Sequence, residues 1–168
     1  MPTMNIFYLD NNPGLAAQYH CDRHVVKMIL ESAQLICTAL HELGVPPELI
    51  PYKATHRNHP CSIWARETRG NLIWLYSLMM ELNDEYKYRF NHTEDHKSVR
   101  VFNDAGVFSM LWSQEYLPNL SMERTTPALA MPEYCRIFDD PVKCYRYYYK
   151  FEKTHLHKWT SRKEPYWI

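Results

Sequence analysis

The positions of the prolines constrain the fold of this chain most strongly, because they mark where helices begin and end. Prolines outnumber glycines eleven to four. Asn12-Pro13 and Asp140-Pro141 each place a capping side chain before a proline at the first helical position, and Pro60 starts a further helix. Since few glycines are available for the tight turns of hairpins, the sequence predicts an all-α fold.

The spacing of apolar residues between these prolines gives the predicted architecture. Long helices are expected from residue 13 to about 44, from 60 to about 89 and from 141 to about 153, and residues 97–112 also show helical spacing. We predict one domain, residues 1–168: a single compact bundle of long helices with a long proline-containing loop and an aromatic, basic C-terminal helix and tail. Its predicted core includes Tyr19, Val26, Ile29, Ala33, Ile36, Leu40, Trp64, Trp74, Leu75, Leu78 and Leu82.

Charge and cysteine content limit the classes of function. Nineteen basic and nineteen acidic residues cancel, so any contact with nucleic acid has to come from a local patch. The five cysteines are odd in number and include no Cys-x-x-Cys pair, which argues against a disulfide framework and a thiolate zinc site. The sequence has no basic leader and no apolar run of membrane length, so we expect a cytoplasmic protein that does not contact the membrane.

A polar stripe on the first predicted helix is the main indication of function. Its members follow at alternating steps of four and three residues, which aligns them on one face: His20, His24, Lys27, Glu31, Gln34, Thr38 and His41. An ordinary solvated face is the simpler alternative, but it seldom combines imidazoles with an amine, a carboxylate and an amide. We interpret the stripe as the floor of an active or binding groove. The predicted catalytic residues are His20, His24, Lys27 and Glu31, and Gln34 is predicted to bind substrate.

A positively charged segment precedes the second predicted helix. Residues 52–60 contain two histidines, an arginine and a lysine. Helix N-termini attract anions through unpaired amides and the helix dipole. We therefore predict a phosphate-binding surface made by His56, His59, Arg66 and Arg69. The alternative is structural, with Asn58 as a helix cap and Arg66 as the partner of an acidic neighbour.

The C-terminal residues 141–168 break the overall charge balance, with seven Lys or Arg against two Glu. Eight aromatic residues are interleaved with these cations. This mixture suits phosphate contacts combined with stacking on exposed bases, so Arg146 and Lys150 are predicted to contact DNA or a nucleotide. The alternative is that many of the aromatic side chains pack this helix onto the bundle while the lysines are solvated.

A metal site is a further possibility, although no cofactor is predicted. His20 and His24 have the i, i+4 spacing of helical zinc sites, and His56 and His59 are possible additional ligands. No His-Glu-x-x-His motif is present, and neither is the Gly-x-Ser-x-Gly motif of a serine nucleophile.

Several segments resemble known phage proteins. HCDRHVVKMILESAQ, HRNHPCSIWARETRGNLIWLY, AMPEYC and YRYYYKFEK with a following KW resemble small proteins encoded by large tailed phages. Residues 15–89 are more distantly similar to the phage pyrimidine-dimer DNA glycosylases of the endonuclease V type. The similarity lies in the order of elements: a helix with polar residues, a loop ending in His-Pro, a helix with Trp-Leu-Tyr, and an aromatic, basic C-terminus.

The glycosylase resemblance implies a small, all-helical, cofactor-free enzyme of the host cytoplasm. Those enzymes form a Schiff base at a sugar with an amine, their processed N-terminus, and use a carboxylate on the first helix. Here Lys27 is the substitute amine, Asp22 falls near the place of the family's carboxylate, and Glu31 shares the stripe with Lys27. The expected function is a phage-type enzyme that acts on a nucleotide or a nucleic-acid base, by a glycosylase–lyase or base-modifying reaction. A noncatalytic binder of a nucleotide or host protein and a metal-dependent hydrolase stay open as alternatives.

Overall fold

The computed structural model describes residues 4–168, and this part of the chain contains seven α-helices and no β-strand. The helices are α1 (Pro13–Tyr19), α2 (Asp22–Glu42), α3 (Pro60–Glu67), α4 (Arg69–Phe90), α5 (Lys97–Ala105), α6 (Val107–Trp112) and α7 (Pro141–Glu152). Single 3-10 turns cover Pro47–Leu49, Glu133–Cys135 and Thr154–Leu156. The predicted all-α bundle is therefore confirmed. Across residues 4–168, every helix is too short or too polar to span a bilayer.

Helices α2 and α4 form the centre of the bundle, with α1 packed on α4 and α3 packed on α2. The two tryptophans predicted to lie in the core are buried there. Their indole N–H groups donate to backbone carbonyls, Trp64 to Thr125 at 3.1 Å and Trp74 to Asn11 at 2.9 Å. The prediction that Val26 is buried is wrong, because the buried face of α2 passes through Val25 instead and leaves Val26 40% exposed.

The first predicted helix is two helices in the structure, which break at His20 and Cys21. Both residues have extended backbone conformations, with ψ of 135° and 160°. The backbone N–H groups of Cys21 and Asp22 have no acceptor within α1 or α2 and instead donate to residues of the C-terminal region. The N–H of Cys21 donates to the Tyr149 hydroxyl at 2.9 Å, and the N–H of Asp22 donates to the Lys158 carbonyl at 2.8 Å. Contacts with the C-terminal region therefore compensate for the interruption, and His20 lies outside the helix that carries the rest of the stripe.

Two other predicted helices are also interrupted. Thr68 has extended backbone angles, and its hydroxyl accepts from the N–H of Asn71 at 2.9 Å, so it ends α3 and caps α4. Gly106 has a φ of +68°, which ends α5 and begins α6. The last helix ends at Glu152, one residue before the predicted end.

Two nonhelical segments cross beside α2 and α4 and complete the core. Residues 113–132 contain no helix and pass close to the start of α4, where the N–H of Arg69 donates to the Ser121 carbonyl at 2.8 Å. Residues 4–12 contact both this loop and α2: the side chain of Asn5 donates to the Ala130 carbonyl at 2.9 Å, and its backbone N–H donates to Glu31 at 2.7 Å. The N-terminal segment is therefore held between α2 and the long loop.

Gly70 marks the closest approach of the long loop to α4. A Cβ at this position would lie 2.3 Å from the carbonyl oxygen of Met122 and 2.6 Å from that of Glu123. Both neighbours are backbone atoms, so a rotamer change cannot relieve the overlap. We expect Gly70→Ala to lower the free energy of unfolding by about 2 kcal/mol, as overpacking does. Urea unfolding would measure this loss of stability. Gly44→Ala is the control, because a Cβ at Gly44 meets nothing within 4 Å while φ is +86°. This control variant therefore reports the cost of backbone strain without steric overlap.

Candidate functional site

The polar stripe, from His20 to His41, meets three different environments along its length. At its N-terminal end, His20 and His24 are buried against the C-terminal helix. In the middle, Lys27, Glu31 and Gln34 line a pocket. At its C-terminal end, Thr38 and His41 bind the backbone of the following loop: the Thr38 hydroxyl donates to the Thr55 carbonyl at 3.1 Å, and Nε2 of His41 lies 2.9 Å from the Tyr52 carbonyl. The predicted groove is thus limited to the middle of the stripe.

The two buried histidines belong to an aromatic cluster. Nδ1 of His24 lies 2.7 Å from the Tyr149 hydroxyl, and its ring stacks on Phe7 with 4.4 Å between centroids. Nδ1 of His20 lies 2.6 Å from the Ala16 carbonyl, and no hydrogen-bond partner for its Nε2 is present among residues 4–168. Burial lowers the pKa of His20 to about 4 and that of His24 to about 2. Both rings are therefore neutral at pH 7, and neither lines the pocket.

The Lys27–Glu31 pocket, as we call it, is the cavity lined by Met4, Lys27, Leu30, Glu31, Gln34 and His56. Its volume is 220 Å³, below the range of about 300–1,000 Å³ typical for drug-sized ligands. This volume suits one small planar or sugar-sized group. Residues at i and i+4 are neighbours on a helix surface, so the amine of Lys27 and the carboxyl of Glu31 face the same space.

Glu31 is held at the pocket wall by the N-terminal segment. Its carboxylate accepts the backbone N–H of Asn5 at 2.7 Å, and the residue is only 7% exposed. Burial raises the pKa of Glu31, while the Asn5 N–H and the charge of Lys27 act in the opposite direction. A carboxyl group with a raised pKa and a fixed position suits proton transfer.

The predicted phosphate ligands do not share one surface. His56 lines the Lys27–Glu31 pocket, whereas His59 caps α3, its Nδ1 accepting the Cys61 N–H at 3.1 Å. Burial, and secondarily His56, lower the pKa of His59. The guanidinium of Arg66 donates to the Arg57 carbonyl at 2.8 Å and stays near the surface.

Arg69 is removed from the candidate phosphate ligands by its position in the core. It is 1% exposed, and its guanidinium donates to the carbonyls of Leu111 and Leu117. These contacts hold the end of α6 and the following loop against α4. The i, i+3 spacing of Arg66 and Arg69 predicts that both lie on one helix face. This would hold only if the helix continued through Thr68, where the structure shows a break.

Asp22, which the glycosylase resemblance would place near that family's carboxylate, is also engaged elsewhere. Its carboxylate accepts the backbone N–H of Thr160 at 2.8 Å and the hydroxyl of the same residue at 2.5 Å. It also pairs with the buried guanidinium of Arg89 at 3.2 Å. Asp22 therefore fixes the C-terminal tail to the break between α1 and α2, and Glu31 is the carboxylate that meets the pocket.

Arg146 and Lys150 both lie on the exposed face of α7, but only Arg146 forms an ion pair within the described part of the chain. Arg146 pairs with Asp10 at 2.9 Å, donates to the Leu9 carbonyl at 2.9 Å, and lies over the ring of Trp167. Nζ of Lys150 has no carboxylate within 4.0 Å among residues 4–168. Both line a second cavity of 280 Å³ on that face.

Two residues that shape the site, Asn5 and Tyr149, are not among the site residues predicted from the sequence. Asn5 positions Glu31 through its backbone N–H, and a backbone donor leaves no signal in the side-chain sequence. Tyr149 forms hydrogen bonds with both His24 and Cys21, whereas the sequence marks it only as one of several C-terminal aromatic residues. The i, i+4 spacing of the buried residues Tyr145 and Tyr149 was the signal that could have identified them as core.

Fold and site together define a class: an all-α protein with a small pocket that is lined by a lysine and a buried glutamate from adjacent turns of one helix. In residues 4–168, no three His, Cys, Asp or Glu side chains are grouped to hold a metal ion. No family model, no curated protein and no solved structure matches the chain.

Proposed function

We propose that this protein is an enzyme that acts on a damaged or unpaired base in DNA, by glycosylase–lyase chemistry in the Lys27–Glu31 pocket. The observation that carries the proposal is the placement of a buried carboxyl group, fixed by the Asn5 N–H, one helical turn from a lysine amine in a cavity of 220 Å³. The resemblance to the phage pyrimidine-dimer glycosylases supports the same reaction class and an origin in a tailed phage. The host cytoplasm is the proposed place of action.

In the proposed reaction, the unprotonated amine of Lys27 attacks C1′ of the sugar. The base leaves with the electron pair of the glycosidic bond and takes up a proton, and the sugar ring opens to a Schiff base as its ring oxygen is protonated. Glu31 is the proton carrier: its carboxylate accepts a proton from the amine, and its acid form returns one to a departing oxygen or nitrogen. Gln34 and His56 would hold the base or sugar by hydrogen bonds at the pocket wall.

His20 and His24 have a supporting part in this proposal. As buried neutral rings they position α2 relative to α7, and they do not line the pocket where the substrate would bind. The proposed phosphate contact falls to His56, which lines the pocket, since Arg69 is buried and Arg146 is paired with Asp10.

We expect borohydride to trap a covalent adduct between the protein and DNA that contains an abasic site. Lys27→Ala should abolish trapping, because the neutral amine of Lys27 supplies the lone pair that attacks the sugar. Glu31→Gln should slow trapping by about 100-fold, the usual contribution of one proton-transfer group. Denaturing gel electrophoresis of the trapped complex measures both effects.

Lys97→Ala is the matched control, since Lys97 is an exposed lysine at the start of α5 and does not line the pocket. Trapping that survives Lys27→Ala would place the amine elsewhere, and peptide mapping of the trapped adduct would identify it. If the wild-type protein forms no adduct, the lyase proposal is wrong. A noncatalytic binder would instead retain affinity for DNA or a nucleotide with no adduct.

A further inference from the structure

The exposed face of α7 carries a groove that is separate from the Lys27–Glu31 pocket. This aromatic groove, as we call it, has a volume of 280 Å³ and is lined by Phe138, Lys143, Arg146, Tyr147, Lys150, Phe151 and Trp167. None of these residues lines the Lys27–Glu31 pocket. Four of the seven are aromatic, three are cationic and none is acidic.

The helical spacing of α7 explains why these residues share one face. Lys143, Tyr147, Lys150 and Phe151 follow at i, i+4, i+7 and i+8, while the opposite face buries Val142, Cys144, Tyr145 and Tyr149 in the core. The aromatic residues of the C-terminal segment thus divide into two groups. One group packs the helix onto the bundle, and the other stays at the surface beside lysines.

The exposed rings are arranged in a tilted series. The ring centroids of Tyr147 and Phe151 are 4.7 Å apart, and those of Phe138 and Tyr147 are 6.1 Å apart. Phe151 is 56% exposed and Phe138 is 43% exposed. Large exposed aromatic rings that are grouped around a cavity mark a surface that binds a partner.

Cations lie within reach of these rings. Nζ of Lys150 lies 5.5 Å from the centroid of Phe151. Arg146 also lines the groove, and its guanidinium is held by the carboxylate of Asp10 at 2.9 Å. Positive side chains beside flat apolar rings complement a ligand that has negative phosphates and flat apolar faces, and unpaired nucleotides have both.

We propose that the aromatic groove binds single-stranded nucleic acid, with one unpaired base stacked on Phe151 or Tyr147 and the adjoining phosphates at Lys143 and Lys150. Duplex DNA hides its base faces by stacking, so the groove should prefer single strands. This site goes beyond the catalysis proposed for the Lys27–Glu31 pocket and would bind strands that contain no damage.

The test is fluorescence anisotropy with a labelled oligothymidylate about 12 nucleotides long, which has no abasic site and no purine. We expect Phe151→Ala to weaken binding by about tenfold or more, because a stacking surface is lost. Replacing both Lys143 and Lys150 with Ala should reduce the slope of log K against log salt by about 1.4, since two phosphate contacts disappear. Lys27→Ala should leave this binding unchanged, which separates this site from the proposed catalysis.

Phe108→Ala is the matched control, because Phe108 is 55% exposed on α6 and contacts aromatic rings rather than lysines. Thermal unfolding of each variant shows whether the fold is intact. Equal affinity of the Phe151→Ala and Phe108→Ala variants would overturn the proposal. So would absence of binding by the wild-type protein, or binding of duplex DNA as tight as that of the single strand.

Discussion

Arg89→Met should lower the free energy of unfolding by about 3–5 kcal/mol, because it removes one member of a buried ionic network. The side chain of Arg89 is fully buried at the end of α4. It donates to Glu85 at 2.7 Å and to the carbonyls of Gln18 and His20 at 2.9 and 2.8 Å, and it pairs with Asp22 at 3.2 Å. The variant would remove this donor from the carbonyls of Gln18 and His20 at the break between α1 and α2. Glu85 would keep its pairing with Arg162, at 2.6 Å.

Urea unfolding at pH 7.5 would measure this effect, and Arg57→Met provides a matched control. Arg57 pairs with Glu42 at 2.6 Å, but its side chain is 60% exposed. An exposed ion pair contributes about 0–1 kcal/mol because solvent screens it. If the free energy of unfolding falls equally in both variants, the inference that the buried network stabilises the break between α1 and α2 is wrong.

The second large effect is a loss of stability in acid caused by His20 and His24. Their folded pKa values, about 4 and about 2, lie below the ordinary 6.5, so the unfolded state binds more protons once the pH falls below about 6.5. The stabilisation is fully present above that pH and is lost as the pH falls towards 4. The depressed pKa of His20 alone corresponds to about 3 kcal/mol, and the two rings together give a slope of about 2.7 kcal/mol per pH unit.

Glu31 acts in the opposite direction in the same pH range, because burial raises its folded pKa. The measured slope will therefore be smaller than the histidines alone would give. Denaturant unfolding between pH 7.5 and 4 should show a clearly shallower slope for His24→Gln than for the wild-type protein. His155→Gln, which changes an exposed histidine, should keep the wild-type slope. Equal slopes for all three proteins would contradict the assignment of the acid sensitivity to the buried cluster.

The sequence predicted correctly that the middle of the polar stripe shares one helix face, but it did not indicate which segments surround that face. Lys27, Glu31 and Gln34 line one pocket because all three belong to the uninterrupted helix α2. His20 shares their spacing in the sequence but precedes the break at Cys21. Spacing predicts a common face only where the helix is continuous, and a break stabilised by a distant hydroxyl such as that of Tyr149 is invisible locally.

The all-α class and the starts of the helices at Pro13, Pro60 and Pro141 followed from the sequence alone, because proline and its capping neighbour act within one turn of chain. Tertiary contacts decided the rest. They moved Arg69 and His24 into the core and set Glu31 beside Asn5. Burial and partner choice depend on which distant segments meet, and this information enters only when the chain is folded.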